Sequence, residues 1–175
     1  MTIKNGILTK STTTSVEHQS VFDQIYGDYW DKVFRLCMGY VNEPEWAKDI
    51  AQDTFIAVWK QLPNFRQEAA IGTWIFRIAC NNCLRQLERS SRFINKAIDD
   101  RAEENNTNGN EDEVNFLYKC IASLNETDRL IISMELENVK QAEIANILGL
   151  SESNIRVRIH RIKEKLTEKF KSYER

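Results

Sequence analysis

The sequence predicts an all-α protein made of two small helical units. Three observations predict it. Only 6 Gly and 2 Pro interrupt 175 residues, so helix breakers are scarce. Apolar residues recur at three- and four-residue steps over most of the chain, and alternating strand-like runs are few. A hydrophilic, acidic, turn-prone stretch, ENNTNGNEDE from Glu104 to Glu113, separates two such periodic regions as a linker does. The expected organisation is a polar, Thr/Ser-rich flexible tail over 1–19, a first unit over 20–96, a flexible acidic linker over 97–113 and a second unit over 114–175.

The first unit reads as three helices. Phe22, Ile25, Tyr29, Val33 and Leu36 form one apolar stripe, which predicts an amphipathic helix. Asn42-Glu43-Pro44 breaks the chain, and Pro44 suits the first turn of the next helix, where its missing N–H costs nothing. That helix carries Ala47, Ile50, Ala51, Thr54, Val58 and Leu62 as its stripe and ends at Pro63. Thr73 is the expected N-cap of a third helix running to about Arg92, since its hydroxyl can accept from the first free N–H groups.

The second unit carries the sharpest local signal. Gln141 to Ser151 reads QAEIANILGLS, followed by ESNIRVRIHR. Ile144, Ala145 and Leu148 make a short apolar face, Gly149 suits a left-handed helix end, and Ser151 can cap the following helix. The small Ala145 lets two helices approach closely, which is the geometry of a helix-turn-helix. In the second of its helices Ile155, Ile159, Ile162 and Leu166 share the face to be buried. Ser153, Val157, His160, Arg161 and Glu164 lie opposite, with Asn154 and Arg156 at the flanks. The simpler alternative is a helical hairpin with a basic tail; the Gly, cap and Arg spacing together favour the DNA-reading form.

Composition closes off several classes. At 42% hydrophobic residues the chain is too apolar to be disordered throughout. No apolar run approaches the about 18 residues a membrane span needs, so no membrane insertion is expected. MTIKNGILTKSTTTS lacks a long apolar stretch, so no secretory signal is expected and the cytoplasm is the expected compartment. Cys37, Cys80, Cys83 and Cys120 are then expected as reduced thiols. Cys80 and Cys83 form a CxxC, but no second CxxC or paired His accompanies it, so they read as small core residues and no metal or other cofactor is expected.

Charge is the more telling quantity. The net charge is −2, yet two segments are strongly basic. One holds Lys60, Arg66, Arg77, Arg85, Arg89, Arg92 and Lys96 against Glu68 and Glu88. The other holds Arg156, Arg158, Arg161, Lys163, Lys165, Lys169 and Lys171 against Glu164 and Glu168. Each can follow a phosphate backbone, or be no more than a solvated helix face. On the third helix Arg77, Asn81, Arg85, Glu88 and Arg92 align, a set suited to phosphates and a base edge. Arg158, Lys163, Lys165 and Lys169 are expected on phosphates as well. On the second helix Asp49, Gln52, Asp53, Ile56 and Lys60 fall opposite the core stripe, with Phe55 and Trp59 at the borders. An acidic face around an apolar residue suits docking of a basic partner better than an ordinary wet face.

With these residues in view, the chain resembles a bacterial RNA polymerase sigma factor of the extracytoplasmic-function group (group 4 of the sigma-70 family). The resemblance covers about Val21 to Leu166. FDQIYGDYWDKVFRLCMGYV with AKDIAQDTFIAVWKQLPNF is similar to the polymerase-binding half of a sigma-2 domain, and FRQEAAIGTWIFRIACNNCLRQLER to its −10-reading half. LNETDRLIISMELENVKQAEIANILGLSESNIRVRIHRIKEKL is similar to sigma-4, the −35 reader. The pieces in this order, without a sigma-3 domain between them, are what makes the resemblance specific.

The resemblance implies a dissociable initiation subunit and not an enzyme, with no catalytic residues. It implies that Asp49, Gln52 and Asp53, with Ile56 beside them, bind the clamp helices of the polymerase β′ subunit, and that the second unit meets the β flap. It implies that Phe65, Arg66, Gln67 and Glu68, with Arg77, Asn81 and Arg85, bind the −10 element, where melting exposes bases a duplex would hide. It implies that Ser153, Asn154, Arg156, Val157, His160 and Arg161 bind the −35 element, and that an anti-sigma factor is a further partner. Gln67 stands where the family usually has Gly, Arg85 where it has Asp or Asn, and Val157 where it has a small polar residue. Two rival classes are weaker. A free-standing helix-turn-helix regulator needs a dimer stripe to span half-sites, and none is evident. A di-metal bundle enzyme needs Glu-x-x-His pairs, and the chain has none.

Overall fold

A computed structural model describes residues 6–66, 68–94 and 109–173, with side chains described for 17–66, 68–86 and 112–173. Within these residues the chain runs through α1 (Gly6–Val41), α2 (Pro44–Gln61), a short 3-10 turn (Leu62–Asn64), α3 (Ile71–Ile94), α4 (Gly109–Ala122), α5 (Glu126–Leu136), α6 (Gln141–Leu148) and α7 (Glu152–Tyr173). No strand occurs among the described residues.

Local chemistry sets the breaks. Asn42 sits at φ 53° after α1, a left-handed position that Asn tolerates better than most residues. Glu43 then caps α2, its carboxylate accepting from the N–H groups of Glu45 at 3.1 Å and Trp46 at 2.5 Å, with Pro44 in the first turn. α6 ends at Gly149, φ 67°. Ser151 Oγ accepts from the N–H of Asn154 at 3.2 Å and so caps α7. The hairpin α6–Gly149–Ser151–α7 is the helix-turn-helix that the spacing predicted.

The stripes meet as predicted. Ile25, Val33 and Leu36 of α1, Ala47, Ile50, Ala51 and Val58 of α2, and Ile75, Ala79 and Cys83 of α3 are buried. Thr54 is buried too; its Oγ1 donates to Ile50 O at 2.8 Å and accepts from Asn82 Nδ2 at 3.1 Å, so the polar atom is satisfied. In the second unit Ile155, Ile159, Ile162 and Leu166 of α7 are buried where that helix packs on α5 and α6, as are Leu130, Ile132 and Ile144. Each such aliphatic side chain contributes about 1.5–3 kcal/mol on burial.

Three expectations are corrected. Residues 6–19 of the expected tail are helical, because α1 starts at Gly6; the His18 ring lies 4.2 Å from that of Trp59, and Gln19 Nε2 donates to Asp23 Oδ1 at 2.7 Å, so the helix has partners before its apolar stripe begins. Thr73 is not a cap. α3 starts two residues earlier, at Ile71, and Thr73 is buried inside it. Gly72, in the first turn, lies close to α1: a Cβ there would meet Tyr29 Oη at 2.9 Å. The last part of the expected linker, from Gly109, is the first turn of α4; Asp112 and Glu113 stand near that helix N-terminus, where negative charge is favourable. The rest of the linker lies outside the described residues.

Finally, the two units are not held apart. α1 packs on α4 and α5, and α3 on α6. A Cβ on Gly39 would overlap Ser133 Oγ outright and come within 3.2 Å of Ser133 Cβ, so the missing side chain is what lets α1 cross α5. Arg35 spans the same seam as a two-pronged pair with Glu137, at 2.6 and 2.8 Å. Arg129 Nη1 donates across it to Tyr40 O at 3.1 Å.

Candidate functional site

The acidic face of α2 is exposed as predicted. Asp49, Gln52 and Asp53 point to solvent, and Ile56 keeps 51% of its surface exposed. Phe55 is buried, however, and anchors an aromatic cluster rather than bordering the face. Its ring lies 4.9 Å from Tyr26 and 5.6 Å from Trp30, and Phe22 lies 5.0 Å from Trp59. Gln52, Ile56 and these rings line a groove of about 360 Å³ between α1 and α2. An acidic rim beside an apolar groove suits a partner helix that is basic on one side and apolar on the other.

The α3 face is only partly free. Asn81 and Arg85 are exposed, on successive turns. Arg77 is not free: its Nη2 donates to Asn146 Oδ1 of α6 at 2.7 Å. In the loop before α3 the Phe65 ring lies 4.7 Å from that of Trp74, while Arg66 and Glu68 are exposed. Gln67 lies outside the described residues. Loop and helix therefore present a ring, two arginines and an amide together, and Arg77 joins them only where α6 does not hold it.

On α7, Ser153, Asn154, Arg156, Val157, His160 and Arg161 are all exposed on the side away from the core, with Val157 at 49%. Ser151, Ser153, Asn154, Val157, Arg158, Arg161 and Lys165 border an open groove of about 610 Å³. Arg156 pairs with Glu152 at 3.3 Å on the surface, a contact worth well under 1 kcal/mol that a ligand can displace. Two of the arginines and lysines expected on phosphates are instead tied to α5. Arg158 pairs with Asp128 at 2.8 Å, and Lys163 with Glu135 at 2.7 Å. Lys169 Nζ donates to Ser123 Oγ at 2.6 Å. The reason is proximity: α5 crosses behind α7 and brings acids within reach of basic positions beside the buried stripe.

The four cysteines are buried free thiols. Cys83 Sγ lies 3.9 Å from Cys37 Sγ, and Cys80 Sγ lies 3.9 Å from Met134 Sδ across the seam. Burial pushes the Cys80 thiol well up; the bond to Cys37, and then burial, push Cys83 up. Neither is a poised nucleophile. Among the described residues no cluster of His, Cys, Asp and Glu is placed to hold a metal ion, and no helix is long and apolar enough to cross a membrane.

Sequence reasoning missed Arg35, Asp128, Arg129, Glu137 and Asn146. Their partners are distant in sequence, up to 102 residues for Arg35 and Glu137, and no periodicity links such positions. Asp128 alone left a trace, as the acid three residues after Asn125, whose Oδ1 accepts its N–H at 3.0 Å.

The chain matches the family described as Sigma-70 region 2 over residues 25–93 and Sigma-70, region 4 over residues 117–166. It is 29% identical to an ECF RNA polymerase sigma-E factor of Escherichia coli over 167 residues, covering 86% of this chain and 87% of that one. It is 24% identical to the RNA polymerase sigma factor YlaC of Bacillus subtilis over 161 residues, covering 86% and 92%. Among solved structures, the sigma factor RpoE in complex with the anti-sigma factor NepR from Bartonella quintana aligns at TM-score 0.75 and 18% identity, over 86% of this chain and 96% of that one. CnrH in complex with the cytosolic domain of CnrY aligns at 0.67 and 22%, over 88% and 90%.

Proposed function

The chain belongs to the sigma-70 family of RNA polymerase sigma factors, of the extracytoplasmic-function type, and directs core polymerase to promoters; from that premise we propose which face does what. Sigma factors are initiation factors without catalysis of their own. The α1–α2 groove, with Asp49, Gln52, Asp53 and Ile56, docks the β′ clamp helices of polymerase. Phe65, Arg66, Gln67, Glu68, Asn81 and Arg85 take an unpaired −10 strand, and Arg77 joins them once α3 and α6 part. Ser153, Asn154, Arg156, Val157, His160 and Arg161 enter the −35 major groove, while the second unit also meets the β flap. The protein acts in the cytoplasm, where core polymerase is, and an anti-sigma factor holds it inactive. Support for that last step is that a similar fold, the sigma factor RpoE, has been solved with the anti-sigma factor NepR.

One observation carries the assignment of faces. The apolar groove beside the exposed Asp49 and Asp53 of α2 and the polar, arginine-lined groove of α7 lie on different units, each exposed and each of different chemistry. Polymerase and DNA can therefore be held together by one chain, with effective concentration adding to two modest affinities.

The test is transcription. Purified chain is added to core polymerase on genomic DNA, and transcript starts are sequenced. A new set of starts sharing −35 and −10 motifs is expected. A start profile equal to that of core polymerase alone would overturn the reading.

A further inference from the structure

Asn154 stands in the first turn of α7, where a recognition helix meets base edges. Its amide is not free to choose its orientation. Arg158, one turn later, turns its Nε–H to Asn154 Oδ1 at 2.9 Å. The same guanidinium gives Nη1–H to Asp128 Oδ1 at 2.8 Å. Asp128 is 8% exposed on α5, and its Oδ2 accepts from Asn125 Nδ2 at 2.6 Å. A chain of hydrogen bonds thus runs from the cap of α5 to the floor of the α7 groove.

The chemistry of the donors fixes the rest. A guanidinium only donates, so the Asn154 atom facing it is the oxygen. The Nδ2 end is then the one left for a ligand. The familiar two-bond pairing of Asn with adenine needs both ends of the amide, an oxygen for N6–H and a nitrogen for N7. Here the oxygen is turned toward Arg158, which draws it away from the groove and leaves Nδ2 outermost.

We infer that Asp128 and Arg158 are positioning residues that hold Asn154 donor-outward, so that its base position selects for an acceptor in the major groove and against cytosine. Guanine offers N7 and O6, adenine N7 and thymine O4, while cytosine offers an amino group. Arg158 therefore acts on specificity through another side chain and not as one more phosphate contact. Its half-buried place between Asp128 and Asn154 agrees with that role. The inference rests on the proposed −35 role of α7.

The experiment uses holoenzyme reconstituted from the full chain and core polymerase. The probe is a promoter recovered by start mapping, with its −35 segment randomised; bound DNA is sequenced. Asn154→Ala identifies the position Asn154 reads. At that position the wild type is expected to deplete cytosine about tenfold, the scale of one well-placed hydrogen bond. Asp128→Ala and Arg158→Lys should raise cytosine there to within about threefold of the other bases, leaving preferences elsewhere and binding to a non-promoter duplex unchanged. Asp128→Asn, which keeps an acceptor oxygen, should restore the preference. If Asp128→Ala loses helicity, Arg158→Lys decides alone.

A wild-type profile in Arg158→Lys overturns the inference. So does a uniform loss at every position, which makes Arg158 a phosphate contact, and so does an Asn154→Ala profile with no altered position. If the wild-type holoenzyme enriches no −35 sequence, the proposed role of α7 itself falls.

Discussion

Replacing Gly39 with alanine should separate the two units while leaving each of them intact. Gly39 lies in α1 where it crosses α5. The added methyl would overlap Ser133 Oγ and stand 3.2 Å from Ser133 Cβ. Both sites are fully or nearly buried, so neither helix can yield without shifting a packed neighbour, a cost of about 1–3 kcal/mol. Within α1 the same change is favourable by about 1 kcal/mol, because alanine is a better helix residue than glycine. The strain therefore falls on the seam and not on the first unit. Ser133 Oγ is buried without a hydrogen-bond partner, so Ser133→Ala should be neutral or stabilising. Because Ser133→Ala removes the atom in the worst overlap, the pair should be strongly non-additive. Small-angle scattering reads the outcome: a packed chain of this length has a radius of gyration of about 16 Å. Gly39→Ala should increase it by several ångström, and Gly39→Ala with Ser133→Ala should restore most of the difference. An unchanged radius in Gly39→Ala, or additive thermal shifts across the four proteins, would refute the reasoning.

Other expectations follow from the same contacts. Asp49→Arg reverses the charge beside the α2 groove, so pull-down of core polymerase should fall by tenfold or more with helicity unchanged; normal holoenzyme assembly would contradict the docking face. Arg161→Ala should cost about 1–3 kcal/mol at one −35 position if Arg161 pairs with guanine, read from binding to single-base variants; an equal loss on every sequence would make it a phosphate contact. Gly149→Ala forces a side chain into φ 67° and should cost about 1–2 kcal/mol in thermal unfolding. The Cys80 and Cys83 thiols are pushed up in the fold. A raised folded value means the stabilisation is complete below the unfolded value and is lost as pH rises beyond it, so stability should fall from about pH 9 upward. Cys80→Ala with Cys83→Ala should flatten that part of the pH–stability curve.

The sequence revealed what depends on local periodicity and cap chemistry. The stripes of α2 and α7, the left-handed Gly149 and the Ser151 cap are each decided within one or two helical turns, and all stand where the spacing put them. The exposed positions on α2 and α7 were legible for the same reason, because a known core face defines its opposite. What was not legible depends on distant partners. Thr73 read as a cap because its type suits one, while the helix in fact starts at Ile71 and buries Thr73 within its first turn. Arg158 and Lys163 read as phosphate ligands because the acids of α5 that claim them lie 30 and 28 residues away. Basic residues bordering a buried stripe are therefore weaker DNA candidates than those opposite it, a distinction visible only after α5 is placed.

The same contrast explains how one chain can be two units and yet pack as one body. Inside each unit most of the buried contacts joining helices are apolar, and their removal leaves cavities costing several kcal/mol each. The seam shares that apolar core but also carries polar contacts. Arg35, with its side chain 48% exposed, meets Glu137 across it, an arrangement in which much of the Coulomb attraction is screened by water. Glu137 raises the affinity of Arg35 for its proton, but a guanidinium is charged in either state, so this adds no pH switch. Ser133 and Tyr40 each bring a hydroxyl to the interior without a partner, and each such atom opposes closure by about 1–3 kcal/mol. Parting the seam would return both hydroxyls to water, while parting a unit would break satisfied polar contacts such as Arg158 with Asp128 and Asn82 with Thr54. Arg77 and Asn146 straddle the adjoining α3–α6 contact, so opening the seam would also free an arginine of the proposed −10 face.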